Sequence, residues 1–266
     1  MRLVASRRGC GDERRPDTGT VHPVPMASFL LVHSPVVGPS TWRWVAAELQ
    51  EQGHRVTVPG VAQAVTSRGW EAFVDSVAAQ AGEEERAVLV GHSGAGPLLP
   101  QIVARARRKL GPLVFIDAGI PPEAGDAELM PNEVLEELQA IAQDGILPRW
   151  SEWFGSGVME ELVPDIEQRL VVAADLPQIP LSYFETRVPV PDAWSSVGCG
   201  YIRLSEPYAA EAAEAAIRGW PVIELPGSHL DIVTRPAPTA EAILAIVAQL
   251  AGSDRAVCRG LASGQS

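Results

Sequence analysis

One stretch constrains the fold more than any other: Ala87-Val88-Leu89-Val90-Gly91-His92-Ser93-Gly94-Ala95-Gly96. Its four leading apolar residues, two of them valine, read as a short buried strand. A single serine then sits among small residues. Pro97 to Ala106 reads as a helix with proline in its first turns. A strand, a tight turn and a helix in this order hold Ser93 in a strained backbone conformation. Only small neighbours let the strand and the helix approach so closely. The turn also directs the N–H groups of the helix start toward whatever the serine attacks.

The motif G-x-S-x-G is met at Gly91 and Ser93, with Ala95 in its last position and Gly94 and Gly96 alongside. Strand, turn and helix supply the context that a nucleophile elbow requires. On these residues the chain resembles the alpha/beta-hydrolase family, over roughly Phe29 to Leu250. The resemblance implies an α/β fold: a mostly parallel sheet, helices on both faces, and a helical lid inserted after the family's sixth strand.

The rest of the chain reads accordingly. Strands are expected at Ser28 to His33, His54 to Val58, Leu113 to Asp117, Gly200 to Leu204 and Trp220 to Leu225. Helices are expected at Thr41 to Leu49, Trp70 to Ala81, Tyr208 to Arg218 and Thr239 to Leu250. Strands alternating with helices at these spacings argue for a parallel sheet. Between Gly119 and Ala193 the alternation breaks, with no strong strand and one amphipathic helix over Asn132 to Ile141. Trp150, Trp153, Phe154, Met159, Leu162, Tyr183, Phe184 and Trp194 cluster around that helix in sequence. Residues 119–193 are therefore expected to form the lid. Its aromatics would wall a substrate pocket, chiefly Trp153, Phe154, Tyr183 and Phe184.

Residues 1–25 carry five arginines and prolines without an apolar pattern, and read as a disordered tail. No apolar run follows those arginines, so they do not read as a secretory signal. Met26, directly before the first strand, is a candidate natural start. Residues 26–266 are expected to form a single domain, with a loose end from Ala251 to Ser266.

A serine hydroxyl needs a base within hydrogen-bond reach. Of five histidines, His22 lies in the tail, His54 opens a strand at the surface, and His33 ends the first strand, where it would orient a loop. His92 adjoins the serine and should point away from it. His229 follows the last strand in Pro226-Gly227-Ser228-His229, where the family carries its catalytic histidine. A carboxylate must hold that imidazole in the right tautomer. The family's usual position, after its seventh strand, offers only Glu206. Asp117, at the end of the sixth, is the alternative and the one preferred. Donors for a developing oxyanion would be the Gly94 N–H and a second group from Ser34 or Val36, because Pro35 has no N–H.

The resemblance implies a serine hydrolase cleaving an ester, thioester or amide of a small or medium apolar substrate through an acyl-enzyme. It implies no cofactor. The same triad also serves lyases or cyclases that form no acyl-enzyme. Ser34 is similar to a hydroxyl of plant hydroxynitrile lyases, although those carry lysine where this chain has Leu230. A non-catalytic small-molecule-binding protein is the reading outside enzymes. A net charge of −12 argues against nucleic acid as a partner. No apolar run reaches membrane-spanning length. Cys10, Cys199 and Cys258, odd in number and far apart, suggest neither disulfides nor a metal site, and fit the cytoplasm.

Overall fold

The computed structural model describes residues 26–61, 64–81, 86–155 and 157–263. The tail expected at 1–25 lies outside them. Six strands form the main sheet: β1 (Ser28–Val32), β2 (Arg55–Thr57), β3 (Val88–His92), β4 (Leu113–Ile116), β7 (Cys199–Arg203) and β8 (Val222–Glu224). Their order is β2-β1-β3-β4-β7-β8, and every described pairing is parallel.

The sequence of the central strands follows from that layout. A parallel sheet is covered on both faces, so its strands carry continuous apolar runs instead of alternating ones. All five residues of β3 and all four of β4 are buried. From β1 the chain steps outward through α1 (Arg43–Glu51) to β2. It then crosses back through α2 (Ala64–Gln80) to β3, and steps the other way through α3 (Leu99–Arg105) to β4. Right-handed crossovers in opposite directions put their helices on opposite faces. In agreement, α1 packs against the last helix, α9 (Pro236–Ser263), while α2 packs against α3. The strand order reverses between β1 and β3, and the loops leaving those two strands carry Ser34 and Ser93. Such a switch point leaves a crevice at the carboxyl ends of the strands.

Between β4 and β7 lie α4 (Asn132–Ile141), α5 (Val158–Leu162) and α6 (Ile166–Ala174), with short 3-10 turns. This segment also contains strands. β5 (Asp126–Glu128) and β6 (Arg187–Pro189) pair antiparallel, register Ala127 with Val188. Three residues each, one buried between two exposed, are too few to register as a strand pattern. After β7 come α7 (Ala209–Ile217), β8 and the short α8 (Asp231–Thr234). The final helix is longer than expected. It begins at Pro236 and continues to Ser263 instead of loosening after Leu250. Gly252 and Gly260 are the strong helix breakers between Leu250 and Ser263, and each interior glycine costs only about 1 kcal/mol.

Candidate active site

Ser93 follows β3 at once and adopts φ 57°, a left-handed conformation that costs a serine roughly 1 kcal/mol or more. Close packing holds it there. A side chain at Gly96 would strike the carbonyl oxygen of Gly119, and one at Gly91 would come within 2.8 Å of the Leu99 side chain. Ala95, in the motif's last position, is fully buried. The turn continues as a 3-10 stretch, Ser93–Leu98, before α3 begins.

His229 sits in the loop after β8. Asp231 ties that loop down, accepting from the Ser228 N–H at 3.1 Å, the Thr234 hydroxyl at 2.7 Å and Arg235 at 3.2 Å. The His229 carbonyl accepts from His92 Nε2 at 2.9 Å, and the two rings lie 4.5 Å apart. His92 therefore does not point away from the site, as expected above, but supports the histidine loop from beneath. Burial, aided by the nearby His229, lowers its pKa to about 3, so it stays neutral.

His229 Nδ1 donates to Asp117 Oδ2 at 3.2 Å. That leaves Nε2 as the ring's acceptor, the tautomer a general base requires. Asp117 is fully buried at the end of β4, with φ 39°. It also accepts from the Leu204 N–H at 2.6 Å, the Ser205 N–H at 3.2 Å and the Ser205 hydroxyl at 2.5 Å. Burial alone would raise its pKa. The hydrogen bonds of His229, Ser205 and Leu204 and the charge of His229 outweigh burial and hold it below the ordinary carboxylate value. Tyr201 on the neighbouring β7 clamps the next peptide: its hydroxyl donates to the Ala118 carbonyl and accepts from the Ala118 N–H, both at 3.1 Å. Glu206 is elsewhere. Its side chain is 87% exposed and pairs with Arg203 at 2.8 Å, so the structure does not bring it to His229.

A cavity of about 800 Å³ opens above these residues. Ser93, Gly94, Ser34, Val36 and His229 line its floor, and Trp153, Phe154, Tyr183 and Phe184 line its wall. The Ser34 hydroxyl packs so closely on Gly94 that a Cβ there would lie 2.8 Å from it. His33 is buried beneath this loop and donates from Nδ1 to the Ser34 carbonyl at 2.9 Å. Burial lowers its pKa to about 4, against the opposing pull of that bond. Trp150 joins the wall, 6.4 Å from the His229 ring and 6.0 Å from Phe154.

Trp194 does not join it: it packs between Phe115 and Trp220 and donates to the Pro122 carbonyl. Met159 is buried in the core of the segment instead. His54 is not on the surface. It is 7% exposed, lies edge-on to Phe29, and accepts from the Ala27 N–H. Among the described residues no group of three or more His, Cys, Asp or Glu side chains is placed to hold a metal.

Sequence reasoning missed Tyr208. Its ring stacks on His229 at 5.1 Å with planes 6° apart. Burial raises its pKa to about 12, and the facing Ser93 side chain pulls the other way. Nothing in the sequence marks this tyrosine beyond its place at a helix start.

A family model described as "Alpha/beta hydrolase family" matches residues 29–242. A carbendazim hydrolyzing esterase of Nocardioides sp. (strain SG-4G) is 35% identical over 126 residues, covering 43% of this chain and 52% of that protein. Esterase PIR7B of Oryza sativa subsp. japonica is 34% identical over 130 residues, 45% of this chain and 47% of the relative. The chain thus spans about half the length of the curated relatives it matches. Among solved structures, an extracellular alpha/beta-hydrolase from a Paenibacillus species superposes with TM-score 0.67 at 20% identity, covering 83% of this chain and 98% of that one. Tomato methylketone synthase I with 2-tridecanone gives TM-score 0.67 at 18% identity, covering 85% and 99%. At such identities these two structures speak for the fold alone.

Proposed function

Because this chain belongs to the alpha/beta hydrolase family, we propose that it hydrolyses carboxylic esters through an acyl-enzyme formed on Ser93. The observation that carries the reading is the His229 Nδ1 to Asp117 contact of 3.2 Å, beneath a cavity that Ser93 and His229 both line. Ser93 Oγ attacks the ester carbonyl carbon and its proton passes to His229 Nε2. Asp117 holds the imidazole in register and stabilises the cation so formed. The Gly94 N–H and the Ser34 hydroxyl, or the Val36 N–H, receive the negative oxygen. As the tetrahedral adduct collapses, His229 returns its proton to the departing alkoxide. Water then attacks the acyl carbon, gives its proton to His229, and releases the acid as Ser93 regains its hydrogen.

The esterase names of both curated relatives support this reaction class. In this reading residues 119–193 are a lid whose aromatics choose among substrates. Three widely spaced cysteines, with Cys199 buried as a free thiol, favour the cytoplasm.

The test is a p-nitrophenyl ester followed in the pre-steady state, together with fluorophosphonate labelling. We expect a burst of one equivalent per active site, and labelling at Ser93 alone. Ser93→Ala should lose labelling and at least about 10⁵-fold in kcat. Undiminished turnover by Ser93→Ala overturns the acyl-enzyme. Turnover without any burst or label points to a lyase or cyclase.

A further inference from the structure

The chain has three tyrosines, and their hydroxyls differ in what they meet. The Tyr201 hydroxyl is taken up on both sides by the Ala118 peptide. The Tyr183 hydroxyl is buried and has no partner among the described residues. The Tyr208 hydroxyl meets the Ser93 side chain. Its ring lies flat against His229 and lines the cavity that Ser93 and His229 line. One phenol thus stands beside both the nucleophile and its base, and the triad mechanism leaves it idle.

The place of Tyr208 is set by the contacts of the acid. Ser205 gives its N–H and its hydroxyl to Asp117, and its carbonyl accepts from the Tyr208 N–H at 3.3 Å. Pro207 stiffens the single turn Glu206–Tyr208, and α7 begins at the next residue. A phenol so enclosed keeps its hydrogen. Burial, with the negative charges of Asp117 and Glu211, raises its pKa to about 12 against the pull of Ser93. At neutral pH it can therefore donate a hydrogen bond without giving up its proton.

We propose that Tyr208 is a further catalytic residue, whose hydroxyl donates to Ser93 Oγ and acts chiefly as the acyl-enzyme breaks down. A donor speeds a step only if its acceptor strengthens on the way to the transition state. Before acylation, Oγ belongs to a hydroxyl and is already a fair acceptor. In the acyl-enzyme it is the bridging oxygen of an ester, a poor one. When the second tetrahedral adduct collapses, the bond between the acyl carbon and Oγ breaks and its electron pair goes to Oγ. His229 supplies the proton that restores the serine hydroxyl, and Tyr208 keeps its own hydrogen throughout. The gain in acceptor strength is thus larger in deacylation than in acylation. This rests on the acyl-enzyme reading of the same site, and the test separates the two.

Tyr208→Phe removes the hydroxyl and keeps the ring on His229. Hydrolysis of p-nitrophenyl acetate is followed through the burst and into the steady state, and acylated protein is measured by intact-mass spectrometry after quenching. With deacylation limiting, Tyr208→Phe should lower kcat about 10- to 100-fold, the span of one hydrogen bond to a charged group. KM should fall by nearly the same factor, leaving kcat/KM within about threefold of wild type. The burst, which counts competent sites, should stay at one equivalent, and the acyl group should persist longer in proportion to the loss of kcat. An unchanged kcat overturns the inference. So does a loss of kcat/KM equal to the loss of kcat, which would make Tyr208 a support for His229 and no more. A wild-type protein that shows neither burst nor acyl adduct defeats the acyl-enzyme reading and this inference with it. A wild-type burst with unaltered deacylation in Tyr208→Phe defeats this inference alone.

Discussion

Ser93, Asp117 and His229 stand at the ends of β3 and β4 and in the loop after β8. Trp150, Trp153, Phe154 and Phe184 hang from short turns and helices between β4 and β7. Asp117 alone accepts from four groups, all from residues far away in sequence. The wall has little of this. Trp153 meets Phe184 at 5.8 Å and donates one hydrogen bond to Pro148, and Phe154 is 55% exposed. Proton transfer needs groups fixed to within a fraction of an ångström, and a sheet edge gives that. Apolar contact tolerates replacement, so a wall of loosely tethered rings can change while the floor stays the same.

The largest effect should come from the floor. Asp117→Asn keeps volume and removes charge, and should lower kcat by roughly 10⁴-fold. Glu206→Gln, at an exposed ion pair, should stay within about twofold of wild type. Steady-state kinetics of the two variants decide the acid, and the reverse pattern would move the role to the loop after β7. Next comes Ser34→Ala. If its hydroxyl is the second oxyanion donor, kcat should drop about 100- to 1000-fold. Full activity in that variant transfers the role to a backbone N–H, most simply that of Val36.

The floor should also be where acid weakens the fold. His33 and His92 have folded pKa values of about 4 and about 3, below the 6.5 of an unfolded histidine. Under pH 6.5 the unfolded chain takes up protons that the folded one refuses, so stability falls with pH until those folded values are reached. Each histidine should cost about 2 kcal/mol by pH 5. Asp117 acts in the same direction but later, because its lowered pKa preserves its contribution until more acid conditions. Melting temperatures at pH 7.5 and pH 5, in salt high enough to screen net charge, measure this, and equal values would contradict it. The smallest effect belongs to the wall. Trp153→Ala should alter the ratio of kcat/KM between a bulky and a small ester by about tenfold. A uniform loss across esters would mean that Trp153 packs the segment between β4 and β7 and does not choose substrates.

How much of this was readable beforehand follows from how local each signal is. The stretch around Ser93 is self-contained, since ten consecutive residues carry the strand, the small neighbours and the helix start. Helix α4 was legible to the residue, because its apolar spacing is regular and Pro131 opens it. The choice between Asp117 and Glu206 was not local. It depended on β4 lying beside β7, which brings Leu204 and Ser205 to a carboxylate 87 and 88 positions away. Tyr208 gains its place by ring stacking and His92 by its hydrogen bond to the His229 carbonyl, and neither leaves a spacing to read. Strands β5 and β6 were missed because one buried residue apiece makes no pattern. Trp194 was misjudged because nearness in sequence to other aromatics was mistaken for nearness in space.

Ser205 donates to Asp117 Oδ2 from 2.5 Å, across two adjoining strands. The space that holds the imidazole's carboxylate can thus be filled from either strand. A descendant of this chain could hand the acid over by exchanging two residues, Asp117→Ser and Ser205→Asp, without moving the histidine. The order of the exchange is not neutral. Adding the second carboxylate first would crowd two acids into one buried place, where they would have to share a proton. Removing the first would leave the imidazole unheld for a generation. The contact between Asp117 and Ser205 thus sets two positions in competition for one buried place, with each single exchange poorer than the pair.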